Sequence, residues 1–365
     1  MKSISETIDL LLNCAGKSHL SWMSRGATAI YVVLKALSAT GVQVIIPSNI
    51  CLSVVAAILF SGNSLHLIDI ELGSQSISPE GLTSVDRSKK SVVIYPHMYG
   101  ICHQNILKIK DICRERGWFL IEDCAQSPGA SVAGERAGSF GDAAVFSFGA
   151  GKIVDCGYGG AIATDDKQLV DELNKIYSKI GSGGVSPRVK ERTYTKAFKA
   201  LYAIGESRRN IDLSKPFLAL LNVFKGAFIY RADELPFDRI RSGLSGITEN
   251  LKERMENAIL FRQEFDNSGI DYIRHPEGSA YWRFNILYAA KTRNALLRSL
   301  HSKGLYASSW FPSVDRFFKK RAPGEEALFE TSDYIGDRIL NLWVNHEVDK
   351  DYVYNATSII TAFNN

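Results

Sequence analysis

A lysine lies in a glycine-rich turn, Gly149-Ala150-Gly151-Lys152, just after the apolar run AAVFSF, which contains Ser147. An earlier apolar run, WFLIED, closes on Glu122-Asp123. A lysine amine becomes a nucleophile toward an aldehyde once burial or a nearby cation lowers its pKa, and the imine it forms can be exchanged for a substrate amine. An acid beside a pyridine nitrogen keeps that ring protonated, so that the ring accepts the electron pair left by a departing α-proton. A phosphate needs amide donors, and Arg25-Gly26-Ala27-Thr28 opens a helical segment whose first N–H groups have no helical partner. These are the parts that pyridoxal 5'-phosphate (PLP) chemistry requires. Each has a plainer role alone: a strand-end acid as a cap, a lysine in a turn as a solvated charge, Gly26-Ala27-Thr28 as an ordinary helix start. Their order along the chain is what points to one site.

Such residues need a frame that brings them to one edge. From about residue 24 to 165, short β-branched runs alternate with longer helical patterns, the signature of a mostly parallel α/β sheet with helices on both faces. The runs are VQVIIP, SLHLID, SVVIYPH, WFLIED, AAVFSF and GAIATD; ATAIYVVLKALSAT, CLSVVAAILFSG and QNILKIKDICRERG carry apolar residues at helical spacing, and the last two end in a glycine suited to a helix C-cap. Open α/β sheets place ligands beyond the carboxyl ends of their strands, which is where Asp123 and Lys152 fall. After residue 165 the pattern changes. A Gly/Ser-rich loop, the basic run PRVKERTYTK and two apolar helical segments read as a substrate-side insertion over residues 179–240. A long helix, GITENLKERMENAILFRQEF, then opens a compact α+β unit containing the strands YWRFNILYAA and LYASSWF, the helix TRNALLRSLHSKG and a terminal helix. The expected division is a large domain over 1–245 and a small C-terminal domain over 246–365.

A formal charge of +4, from 43 basic and 39 acidic residues, does not argue for nucleic acid. The six cysteines at 14, 51, 102, 113, 124 and 156 contain no CxxC pair, so no zinc ribbon or disulfide framework is expected and a reducing, cytoplasmic setting fits. Cys102-His103 lacks a second pair at ligand spacing, so no metal is assigned. The start, MKSISETIDLLLNCAG, reads as a short amphipathic helix and not as a signal segment, and no transmembrane segment is expected.

Residues 118–165 resemble the central motif of the DegT/DnrJ/StrS sugar-nucleotide aminotransferases, a fold type I PLP family. The correspondence runs through Glu122-Asp123-Cys124-Ala125-Gln126, Gly129-Ala130, Gly138-Ser139-Phe140-Gly141-Asp142, Phe146-Ser147-Phe148, Lys152 and Gly157-Tyr158-Gly159-Gly160-Ala161-Ile162. Weaker similarity covers Ser24 to Leu37, Ile46 to Glu71 and Tyr95-Pro96-His97-Met98-Tyr99-Gly100, so that it extends from about 20 to 345. The resemblance implies Lys152 as the Schiff-base lysine, Asp123 on the pyridine nitrogen, Gln126 toward the ring hydroxyl, and Ser147 with Gly26 and Ala27 on the phosphate. It further implies a homodimer that moves an amino group, from a donor such as L-glutamate, to a nucleotide-linked keto-sugar in amino-sugar biosynthesis for surface polysaccharide or a secondary metabolite. Cys51 stands where many members stack an aromatic residue on the pyridine face. Arg25-Gly26-Ala27 replaces Ser-Gly-Thr in the phosphate turn and exchanges a hydroxyl contact for an arginine. The N-Y-R segment that reaches across the family's dimer interface is not recognisable near Arg239 to Gly246.

Two other readings keep the same fold: a PLP-dependent sugar dehydratase, whose relatives carry His in place of the lysine, and a non-catalytic PLP-binding regulator. His97, at a strand end, is left between a ligand contact and a hydrogen-bonded structural role. Arg188, Lys190, Arg192 and Lys196 offer guanidinium and ammonium groups to a pyrophosphate, or form a solvated run. The apolar helices that follow pack, cover a dimer interface or touch a membrane surface.

Overall fold

A computed structural model of the chain describes residues 2–37, 41–182, 214–317 and 326–363, with 189, 192, 193, 195–197, 199–201 and 203 between them. The β-branched runs become β2 (Gln43–Pro47), β3 (Ser64–Ile68), β4 (Ser91–Pro96), β5 (Phe119–Asp123), β8 (Ala143–Ser147) and β9 (Gly160–Thr164), joined by β1 (His19–Met23) in one seven-stranded sheet of order β1-β9-β8-β5-β4-β2-β3. The pairs β2/β3, β2/β4, β4/β5 and β5/β8 are parallel, while β6 (Ser131–Val132) and β7 (Glu135–Arg136) form a separate antiparallel ribbon. All six residues of β4 are buried, as a strand covered on both faces must be. The coverings are α1 (Lys2–Ala15), α2 (Gly26–Ala36), α3 (Leu52–Ser61), α4 (Pro79–Thr83), α5 (Asn105–Arg116) and α6 (Lys167–Ser178). α2 buries Gly26 through Ile30 as well as Val32 to Leu34, so it is a core helix and not a one-sided one. Left-handed Gly62 (φ 86°) and Gly117 (φ 63°) end α3 and α5.

The parallel reading holds for the centre of the sheet and not for one side. β9 runs antiparallel to β8, and β1 antiparallel to β9. β1 therefore points the same way as β8, and its end delivers Ser24 to Gly26 to the edge that also receives the ends of β2, β4, β5 and β8. A parallel bridge between Arg25 and Gly159 closes that corner. The approach is so close that a Cβ on Gly160 would stand 2.6 Å from the carbonyl carbon of Arg25, which explains glycine there.

A second, antiparallel sheet of order β10-β11-β13-β12 uses β10 (Asp271–Tyr272), β11 (Phe284–Leu287), β12 (Ala307–Ser308) and β13 (Ile339–Leu342). Helices Ile247–Asp266, Arg293–Ser302 and Lys350–Phe363 complete this unit, with helix Glu330–Arg338 leading into β13. Phe261, Phe265 and Phe284 stack at centroid distances of 5.4 to 6.1 Å in its own apolar core, where truncating any one of them to alanine would cost about 3–5 kcal/mol. The two units are stitched at backbone level. The amide of Ala280 donates to the carbonyl of Gly100 at 2.8 Å, and that of Trp282 to the carbonyl of Tyr99 at 2.9 Å. This seam carries residues 281–283 to the carboxyl edge of the large sheet.

Candidate functional site

Neighbouring residues on a strand face opposite ways, and at the end of β5 this separates two acids. Glu122 is fully buried. One of its oxygens accepts from the amides of Phe140 and Gly141 at 2.7 Å each; the other accepts from the Gly138 amide at 2.8 Å and meets His97 Nε2 at 2.9 Å. Asp123 faces the site instead, and the one hydrogen bond it shows accepts from the Ala125 amide at 3.0 Å. Burial pushes the Asp123 carboxyl up, against the lowering effects of Lys152, the Ala125 amide and His97.

Lys152 stands in the turn after β8, its Nζ 5.6 Å from the centroid of the Trp282 ring. Burial lowers its amine below the usual lysine range; Cys51 and Asp123 act to raise it, and Arg283 and Arg25 to lower it. An amine so placed is more readily neutral, hence nucleophilic. The turn is held by Trp282 Nε1, which donates to the Gly151 carbonyl at 2.7 Å, and by Asp155, which accepts from the amides of Gly151 and Gly157 at 2.7 and 2.9 Å.

Beside Ser147 lies the start of α2. A Cβ on Gly26 would sit 3.2 Å from Ser147 Cβ, and no side chain caps this helix end. Uncapped amides at Gly26 and Ala27 together with the adjacent Ser147 hydroxyl form a donor set suited to a phosphate. The donors fit PLP as a whole: a lysine with a lowered pKa, an acid with few bonds, and an amide cradle meet at one sheet edge.

Gln126 is brought there too, but its Oε1 accepts from the Tyr99 amide at 2.7 Å. Cys51 immediately precedes α3 without a side-chain cap, its sulfur 3.1 Å from Ser53 Oγ. The aromatic surface near Lys152 comes from the second unit, where Trp282 stacks with Trp310 at 6.3 Å and an interplanar angle of 15°. Arg25 Nη1 donates to the Ala227 carbonyl at 3.0 Å, which ties the start of α2 to helix Lys225–Phe228.

His97 packs behind the site, its Nε2 2.9 Å from Glu122. Burial alone would lower its imidazolium, but Cys102, Cys124 and Glu122 hold it well above the ordinary value. His97, Glu122 and Cys124 place possible ligand atoms within 4.8 Å of one another, yet both Glu122 oxygens already serve two partners each. Of the basic run, Arg188 and Lys190 lie outside the described residues.

Sequence reasoning missed Trp282, Arg283 and Trp310. The signal was present in YWRF, where an arginine between large aromatics opens an apolar strand, but nothing local ties that strand to Lys152.

The profile of the DegT/DnrJ/EryC1/StrS aminotransferase family matches residues 10–361. The chain is 33% identical over 160 residues to a GDP-perosamine synthase of Vibrio cholerae, a match spanning 43% of each protein. It is 24% identical over 351 residues, 95% of this chain and 86% of the relative, to the dTDP-3-amino-3,6-dideoxy-alpha-D-galactopyranose transaminase of Aneurinibacillus thermoaerophilus. The crystal structure of 3-amino-5-hydroxybenzoic acid synthase superposes with a TM-score of 0.77 at 19% identity, covering 100% of this chain and 91% of the other.

Proposed function

Because the chain belongs to the DegT/DnrJ/EryC1/StrS aminotransferase family, whose members depend on PLP, we propose that it moves an amino group from an amino acid, with L-glutamate the first candidate, to a nucleotide-linked keto-sugar. The observation that carries this reading is the pairing at one sheet edge of Lys152, its amine lowered by burial, with Asp123, a site-facing acid with a single hydrogen bond. PLP, when bound, supplies an aldehyde that links to amines and a ring that takes up an electron pair. Gly26 and Ala27 amides and the Ser147 hydroxyl would hold its phosphate, Asp123 its pyridine nitrogen, and Gln126 its ring hydroxyl.

Lys152 would serve twice: its Nζ would hold the cofactor's aldehyde and, as a free amine, would hold and move the proton at the carbon being aminated or deaminated. Asp123 would set its carboxylate against the ring nitrogen. Trp282, stacked on Trp310, lies over the lysine amine and covers that side of it. The keto-sugar in the two curated relatives is carried on different nucleotides, GDP and dTDP, so the nucleotide for this chain is a matter for screening.

A homodimer with sites at its interface fits the exposed Leu218 and Val223 on helix Ser214–Val223. A cytoplasmic location fits the six free cysteines, and no helix among the described residues is long and apolar enough to cross a membrane. The deciding experiment is an absorbance spectrum of the PLP-loaded protein before and after L-glutamate, followed by borohydride reduction and peptide mapping. Conversion of the cofactor by glutamate, with the reduced adduct on Lys152, supports the reading; an adduct on another lysine, or none, removes it.

A further inference from the structure

Arg283 is 2% exposed, and its guanidinium lies 4.2 Å from the Trp282 ring centroid and 3.8 Å from that of Trp343. Nη1 donates to the Trp282 carbonyl at 2.7 Å. Nε is buried without a partner, and among the described residues Nη2 donates to nothing and no carboxylate comes within ion-pair distance. Glu347 and Tyr352 act on it only at longer range, while Arg254 adds a second positive charge nearby. A buried cation without a counter-ion weighs against folding, so a chain that keeps one has a use for it. Arg316, by contrast, meets Asp333 at 2.9 Å and Asp337 at 3.0 Å.

The open edge of Arg283 faces the turn that carries Lys152. A Cβ on Gly151 would stand 3.8 Å from Nη2, and Gly151 sits at φ 76°, so the turn presents no side chain there. Two indoles confine the guanidinium to its own plane and leave the Nε–Nη2 edge, which matches one planar two-oxygen anion.

Resting on the reading of this site as an aminotransferase centre, we propose that the Nε–Nη2 edge of Arg283 binds the α-carboxylate of the amino donor. The α-carboxylate is one bond from the carbon that bears the amine, and that carbon must come to Lys152, the neighbour of Gly151. The pyrophosphate of a sugar nucleotide is separated by ring bonds from the carbon to be aminated. It also carries more oxygens than one hemmed guanidinium edge can meet.

The test uses the full PLP-loaded chain. Single-turnover reaction with L-glutamate, followed by absorbance, should need about 10- to 100-fold more glutamate in Arg283→Gln, with Arg283→Lys between the two because it keeps the charge and loses the fork. Glutarate, a dicarboxylate without an amine, should quench the tryptophan fluorescence of the native protein in competition with glutamate, and should lose this in Arg283→Gln. Binding of GDP, dTDP or UDP should be unchanged. Unaltered glutamate dependence in Arg283→Gln overturns the proposal, as does a shift confined to nucleotide binding, which would assign Arg283 to a phosphate. If Arg283→Gln does not fold, Arg283→Lys and the native glutarate titration decide, and glutarate that fails to compete overturns it. Native protein that reacts with neither L-glutamate nor L-glutamine would count against the aminotransferase reading itself, leaving glutarate binding to report on Arg283.

Discussion

The two acids that end β5 have opposite fates. Glu122 is saturated: three amides and His97 use both its oxygens, and the loop 138–141 is folded around it. Asp123 accepts one amide and otherwise senses the charge of Lys152. Buried polar groups in folded proteins find partners, so a saturated carboxylate is structure, and an under-used one beside an under-used base marks chemistry. The same contrast separates Arg316 from Arg283.

The sharpest way to break the contrast is at the lysine. Lys152→Ala should leave a folded protein whose turnover falls by about 10⁴-fold or more, the upper range for a positioned proton-transfer group. A PLP adduct that borohydride still traps in this variant would show that another amine does the work. Next in size is Glu122→Gln, which puts an amide NH₂ or a weaker oxygen against buried N–H donors. It should lower stability by about 3–5 kcal/mol, as loss of one partner in a buried charged network does, while the folded fraction keeps its cofactor. Urea unfolding of the apoprotein reads this, and an unchanged midpoint would remove Glu122 from its structural role.

Asp123→Asn should do the reverse. Turnover should drop by about 10²- to 10³-fold, since a charge placed for the transition state is lost. The apoprotein should be no less stable. The sign follows from its raised pKa: the folded state favours the protonated acid, so the charge Asp123 carries at neutral pH opposes folding, and a neutral amide lifts that opposition. Kinetics and unfolding on one preparation would show whether the two neighbours separate as stated; a variant that loses both stability and turnover would merge them.

Much of this frame is legible along the chain. The central strands announce themselves because burial on both faces demands continuous β-branched runs, and α3 and α5 stop at glycines that only a left-handed cap explains. β1 escapes notice because HLSWM is short, contains polar residues and is half exposed at the edge. β13 and the helix before it are likewise short and depend on their neighbours for burial. At the site, Asp123, Ser147 and Lys152 are readable since one stretch of chain carries them. Trp282 and Arg283 are not, because they reach Lys152 through the Tyr99–Trp282 backbone seam, and no local pattern encodes that seam. Trp282 likewise comes to the neighbourhood of Lys152 from far along the sequence.

The smallest expected effect is also the most direct measure of the coupling between the two site residues. In the native apoprotein, Lys152 should react with limiting acetic anhydride along a pH curve whose midpoint lies below that of a free lysine side chain, because burial favours the neutral amine. Asp123 opposes this by stabilising the ammonium form. Replacing it with asparagine removes that support, so the midpoint should move further down. The measurement needs no cofactor, since peptide mass spectrometry quantifies the acetylated lysine at each pH, and so it separates the electrostatics of the pair from the catalysis built on it. A midpoint that stays fixed would mean that Asp123 and Lys152 lie at one sheet edge without sensing each other. The functional contrast between Glu122 and Asp123 would then rest on hydrogen bonding alone.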